Sequence, residues 1–428
     1  MRLARLAALI TTLVPALAHA NGASIPDTAE FHPQSPTPGD LAMNATFGFL
    51  FSGDDGAHWG WTCHEAIIGT VSLTPRTYRN PSGAMFAAVP LGLAVQPDKS
   101  LWRTTDRGCN WLSIASLAND AVLGLAFDAS GNRALAAGTD ASVTTGLAWI
   151  SSDGGATFGA PIVSRPGQYL TSALIAPSDP QRLYVTGLKP SPAAASVLRS
   201  MDGGSNWTEF PFSTGPDTVR LLAISPTNAD LVWLRQDSTM DRVLVSTNGA
   251  ATFRALLTIP ADVTGFALTE GGNRAWVATR TTGGVYSASG GGPFVHLSGA
   301  PNPRCLTSHG AEVFACANPY GDDFAAGRTT DGVVWTTAMS FARIGAPISC
   351  PAGSSSADVC EPLWPGIDLK IHGAAPTPTP TPPGTGHKRG CSCSVDHGSP
   401  GMLPGLLALA ALLARRSRRV ATRLVEAR

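Results

Sequence analysis

The chain has 428 residues, of which only 14% are charged, with 46 glycines and 34 prolines. That composition excludes a protein built of long solvated helices and favours short strands joined by many turns. The formal charge is zero, 30 basic against 30 acidic residues, but setting aside two arginines before residue 21 and, after His387, eight basic and two acidic residues leaves a body with 20 basic against 28 acidic residues. An acidic body argues against nucleic acid as a partner, because polyanion binders concentrate Lys and Arg on one face.

In chain order, residues 1–20 form the first recognisable unit. Arg2 and Arg5 precede an apolar run that ends in Ala18-His19-Ala20, the small-x-small form of a cleavage site. This order of parts predicts a signal peptide and an exported chain. Residues 21–40 read as an N-terminal extension.

The body, residues 41–373, is organised by an octet of the form SSDGGATF, Ser151 to Phe158. Good copies start at Ser52, Thr104 and Ser200, and weaker ones at Ser246, Ser287 and Thr329. Its acidic position is Asp54, Asp106, Asp153 and Asp202 in the good copies, Asn248 and Ser289 in two weak ones, and Asp331 in a last copy that is one residue short. Successive starts are 52, 47, 49, 46, 41 and 42 residues apart, the spacing of a repeat whose unit is a four-stranded blade. Between copies lie short apolar runs such as VLGLAFD, ALAAGT and LAWIS, bounded by turn residues, so each octet falls on the turn leaving a third strand. There a short carboxylate can accept backbone N–H groups that lack ladder partners, while glycine supplies positive φ. These are structural roles, since seven quasi-equivalent copies around a ring cannot share one substrate. The fold class expected is all-β, a seven-bladed β-propeller, with six blades and one chance match as the alternative because the copies at 287 and 329 are degraded. Closing the ring needs a late strand beside Phe47–Phe51, taken either from Phe341–Ser349 or from the segment near Ile367–Ile371.

The octet resembles the Asp-box, or BNR repeat, of sialidases, sortilin-type receptor propellers, photosystem II assembly propellers and some glucan hydrolases. The resemblance covers about residues 45 to 340. It implies a propeller whose boxes lie on the face away from the ligand site. A sialidase would further need three arginines for a carboxylate, a Tyr and Glu pair and an acidic Asp. Only five tyrosines are present, and the Arg-Ile-Pro element that precedes sialidase boxes is missing, with Arg343-Ile344-Gly345 a poor substitute. No catalytic residue is assigned. Trp102, Trp149, Trp233 and Trp276 fall in apolar strands and Trp335 ends the last octet, which favours packing over a carbohydrate platform. His58 and His64, flanking the first octet, read as surface histidines.

Six cysteines lie in the body, an even number that suits disulfides in an exported chain. The stretch RCLTSHGAEVFAC reads as two strands reversing near Gly310, which places Cys305 opposite Cys316. Cys350 and Cys360 can close a short loop, leaving Cys63 with Cys109. The nine histidines are scattered and the body has no C-x-x-C spacing, so neither a metal nor a cofactor is expected.

A Pro/Thr-rich stretch, residues 374–390, reads as an extended spacer. In residues 391–428, Cys391 and Cys393 precede a short apolar run, Gly401 to Ala414, and then Arg415, Arg416, Arg418 and Arg419. The run is shorter than the roughly 20 residues of a comfortable membrane span, and the arginines set its end in the cytoplasm. These parts together resemble the MYXO-CTERM sorting signal of myxobacterial surface proteins. That resemblance implies cleavage near a cysteine, best matched by Cys391, by a dedicated sorting protease, with retention at the cell surface or outer membrane. The expectation is therefore a monomeric, membrane-associated recognition or scaffold protein for a protein or glycan ligand. The alternative is a secreted glycoside hydrolase.

Overall fold

The computed structural model describes residues 27–373 apart from 34, 36, 69–73, 90–99, 281–283 and 290. The expected leader, spacer and sorting tail, with Cys391, lie outside the described residues. Among the described residues no helix is long and apolar enough to cross a membrane.

Seven sheets, six antiparallel ones of four strands and one of five whose last strand is parallel, hold the strands of the described residues. Their first strands are Thr28–His32, Arg76–Arg79, Asp120–Phe127, Tyr169–Ala176, Thr218–Ile224, Val263–Thr269 and Cys305–His309. These first strands neighbour one another and surround a common axis. The fourth strands, which follow the octets, lie at the rim. The protein is a seven-bladed β-propeller, and the degraded octets at Ser287 and Thr329 sit on true blades, Val263–Leu297 and Cys305–Met339. The six-bladed alternative is therefore excluded.

The middle strands explain why the body looks oily. Blades stack face to face, so strands such as Ala134–Asp140 are buried on both sides and read as continuous apolar runs. Seven apolar clusters result, one at each junction between neighbouring blades. Trp149 and Trp276 are fully buried in two of them, Trp233 and Trp102 are buried in others, and Trp335 packs against the cluster between blades 6 and 7, in keeping with packing roles. Near the axis the wedge narrows until backbones touch. A Cβ on Gly265 would lie 2.3 Å from the Leu306 nitrogen of the next blade, and one on Gly124 would lie 2.7 Å from Ser172 Cα.

The ring shuts differently from the expectation in four respects. First, Thr28–His32 is the inner strand of blade 1, so the propeller begins within the supposed extension. Phe31 stacks on Phe314 of blade 7 at 5.0 Å, and Asp27 pairs with Arg304. Second, the late strand does come from the expected stretch Phe341–Ser349, as Ile344–Pro347, but it runs parallel to Trp59–Thr62 at the outer edge of blade 1 and not directly beside Phe47–Phe51. Third, the segment near Ile367–Ile371 is helical, within Trp364–His372, and Trp364 packs on Trp61 at 5.5 Å.

Fourth, the cysteine pairing needs correction. Cys305 and Cys316 do bond, directly opposite in register. Cys63, however, bonds Cys360, and Cys109 bonds Cys350. The parallel strand carries the chain over the outer edges of blades 1 and 2, which brings Cys350 and the helix Ser355–Cys360 each to a different blade. These two bonds close loops of 297 and 241 residues, against 11 for Cys305–Cys316. In the chain-entropy view each long loop contributes about 5 kcal/mol and the short one about 3.

The tight approach of inner strands is directly testable. Gly265→Val should lower unfolding free energy by about 1–3 kcal/mol, as overpacking against backbone does, measured by urea titration. Unchanged stability would mean the strands have room that this geometry denies them.

Candidate functional site

The octets build one corner repeatedly. In blade 3 the Ser151 hydroxyl donates to Asp153 Oδ1 at 2.7 Å and accepts from Gly155 N–H at 2.8 Å, while Thr157 N–H donates to Asp153 Oδ1 at 2.9 Å. The same set recurs at Asp54, Asp106 and Asp202. Asn248 keeps it, because its amide oxygen accepts from Ser246 at 2.9 Å and from Thr252 N–H at 2.9 Å. In the shortened copy Asp331 accepts from Val333 and Val334 N–H instead. At Ser289 the corner bond is made by backbone, from Gly292 N–H to the Ser289 carbonyl.

Six of the seven corners are also held from a neighbouring element, a feature the sequence did not announce. Asn80 donates to the Gly154 carbonyl at 3.2 Å, Arg133 to Gly203 at 2.6 Å, Arg199 to Gly249 at 2.8 Å and Arg274 to Asp331 at 3.0 Å. Arg343, after blade 7, donates to Gly56 at 2.9 Å. Between blades 1 and 2 the C-terminal helix takes this part, with the Ser356 hydroxyl on the Gly108 carbonyl. His58 is exposed and pairs with Asp54. His64, against expectation, is buried and bonds Asn44 at 3.0 Å.

The corner carboxylates are thus spent on structure. The Asn206 backbone N–H, then its side chain and Ser200, hold Asp202 down at about 2. Burial opposes, but the Thr157 and Ser151 bonds prevail and hold Asp153 at about 2.

The axis is where repetition ends. Its polar groups come from alternate positions of the inner strands, a period-two pattern hidden in short runs such as RTYR and TVRLLAI. Arg76 donates to the Leu123 carbonyl at 3.1 Å, and the Tyr78 hydroxyl donates to the same oxygen at 3.2 Å. Arg220, on the inner strand of blade 5, is exposed to solvent along the axis, yet the surrounding protein and then Arg76 disfavour its charge and bring it to about 10. Arg79 and Arg235 have carboxylate partners in Asp40 and Asp241. Among the described residues neither Arg76 nor Arg220 has one within ion-pair distance. Both stand in the first halves of their strands, toward the end of the axis opposite the corners.

Glu30 shares this channel. Its carboxylate accepts from Thr77 N–H at 2.6 Å, the Thr77 hydroxyl at 2.5 Å and Asn44 at 3.4 Å. Burial nevertheless raises its pKa. Burial likewise pushes Tyr78 up to about 12. Toward the corner end of the axis opens a cavity of about 490 Å³, lined in part by His32, Tyr78, Leu125, Phe127 and His309. Among the described residues no cluster of metal-ligating side chains is present.

No known family model matches the chain. Solved structures to which the chain is similar include prolyl oligopeptidase B from Galerina marginata, 12% identical with a TM-score of 0.51, covering 74% of this chain and 51% of that one. YCF48 from Cyanidioschyzon merolae is 14% identical with a TM-score of 0.48, covering 68% and 92%. A GH74 xyloglucanase from Xanthomonas campestris is 13% identical with a TM-score of 0.36, and the two match over 70% of this chain but only 57% of that one. At such identities the likeness extends to the propeller fold alone.

The corners set an acid limit. A carboxylate depressed in the folded state contributes stability that is complete above its unfolded pKa, near 4, and is lost as pH falls through the folded value. Thermal midpoints should therefore drop between about pH 4 and pH 2. Asp202→Asn, which copies the natural corner at Asn248, should fold at neutral pH with a shallower acid loss, whereas Asp202→Ala should be destabilised at every pH. Equal acid sensitivity in wild type and Asp202→Asn would contradict this assignment.

Proposed function

We propose that this is an exported propeller of the Asp-box type, held at the cell surface by its processed C-terminus, that recognises a protein or glycan ligand without chemical turnover. The observation that carries the non-enzymatic reading is the state of Tyr78 and Glu30. A glycosidase built on a Tyr and Glu pair needs a tyrosine oxygen that gives up its proton to an adjacent carboxylate. Here Tyr78 is held protonated, its hydroxyl turned to the Leu123 carbonyl and not to a carboxylate, while Glu30 Oε2 is engaged by Thr77 and Asn44.

The same end of the axis favours recognition of an anionic group. Arg76 and Arg220 repel one another beside the axis, a cost that a bound carboxylate or sulfate would offset with charge-assisted hydrogen bonds. Loops opposite the corners surround that entrance, and specificity would come from them. Three disulfides in the described body suit an oxidising, extracellular setting.

A glycan array and a glycosidase panel on the purified protein test this reading. We expect retention of acidic ligands, weakened at least tenfold by Arg220→Ala, with no turnover. Hydrolysis of any glycoside at enzymatic rates would overturn the binding account in favour of a hydrolase. For the anchor, intact-mass analysis of the cell-associated protein should show loss of everything after about Cys391; an intact C-terminus would refute processing.

A further inference from the structure

The corner end of the axis has a chemistry of its own. The ends of the inner strands of blades 1, 2, 3, 4 and 7 frame the 490 Å³ cavity, a size typical of small-molecule sites. Tyr78, Pro81, Leu125, Phe127, Leu174 and Pro177 give it apolar and aromatic walls.

His32 Nε2 lies 2.7 Å from the Thr77 hydroxyl, which itself donates to Glu30. The hydroxyl must therefore accept from Nε2–H, and the other ring nitrogen, Nδ1, carries a lone pair with no proton. Burial, and then Arg79, push the imidazole down to about 3, so the ring is neutral at any ordinary pH. Arg79 also lines the cavity, but its guanidinium is spent on the Asp40 carboxylate and on the carbonyls of His32 and Asp40. Asp128 is likewise occupied, accepting from Ser130 and from Arg133 N–H. His309 stands exposed at the rim, and deeper in an ion would find no charged side chain that is not already engaged. A neutral ring would find aromatic faces.

We propose that this cavity is a second binding site, for an uncharged aromatic ring that carries an N–H or O–H donor, of the indole or phenol class, with His32 Nδ1 accepting that donor. It shares the Tyr78 side chain with the anion-attracting end of the axis, but uses neither Arg76 nor Arg220 and does not depend on the reading above. A glycosidase result would leave it standing.

Indole and N-methylindole distinguish the hydrogen bond from simple burial. Titration calorimetry and saturation-transfer NMR on the purified protein should show indole binding about three- to tenfold more tightly, one net hydrogen bond. Phenol should bind more tightly than benzoate. His32→Phe should erase the indole preference while N-methylindole still binds, and Leu174→Trp, which fills the cavity, should abolish both. Equal affinities for the two indoles in the wild-type protein, preference for benzoate, binding unaffected by Leu174→Trp, or no binding of any probe at about 10 mM would each overturn the proposal. The wild-type comparison stands even if a variant fails to fold.

Discussion

Seven wedge-shaped sheets stacked face to face must form a closed ring, because an open arc would leave two apolar blade faces in water. The junction of blades 1 and 7 shows what is at stake: Phe31, Trp59, Trp61, Phe314 and Met339 share one buried cluster there. Exposing those side chains would cost on the order of 10 kcal/mol, comparable with the whole net stability of a typical domain. Closure is correspondingly redundant, combining the stacked Phe31 and Phe314, the ion pair of Asp27 with Arg304, the late parallel strand and two long-range disulfides. The axial channel exists only because the ring is shut.

Closure also divides labour between rim and axis. The corners repeat one solution to one local problem, satisfying the backbone of a tight reversal, and six of them are then tied through a carbonyl to a neighbouring element. Asn248 shows that negative charge is not what the corner needs; an acceptor oxygen at the right place suffices. Along the axis each blade contributes a different residue, so distinct chemistry arises at the two ends. One holds arginines without carboxylate partners, and the other holds aromatic walls with a neutral imidazole.

The parts legible in the sequence were those set by local interactions. Octets, strand runs and the Cys305 to Cys316 hairpin lie within a few residues of their own partners, and period and turn chemistry expose them. What was not legible depends on closure. Thr28–His32 is five residues long beside two prolines, and only its contact with blade 7 makes it a strand. Cys63 and Cys109 looked like partners by elimination, but the strand that carries Cys350 and Cys360 to them has no local signal of its own. Arg76, Tyr78, Glu30 and Arg220 come from three different blades, so no spacing in the sequence marks them as one group. His64 looked like a surface residue because its bond to Asn44 crosses strands.

Peptide mapping under non-reducing conditions tests ring closure most directly. The account predicts cross-linked peptides joining Cys63 to Cys360 and Cys109 to Cys350, with Cys305 joined to Cys316. Peptides joining Cys63 to Cys109 and Cys350 to Cys360 would show that the C-terminal segment does not shut the ring, and would contradict it.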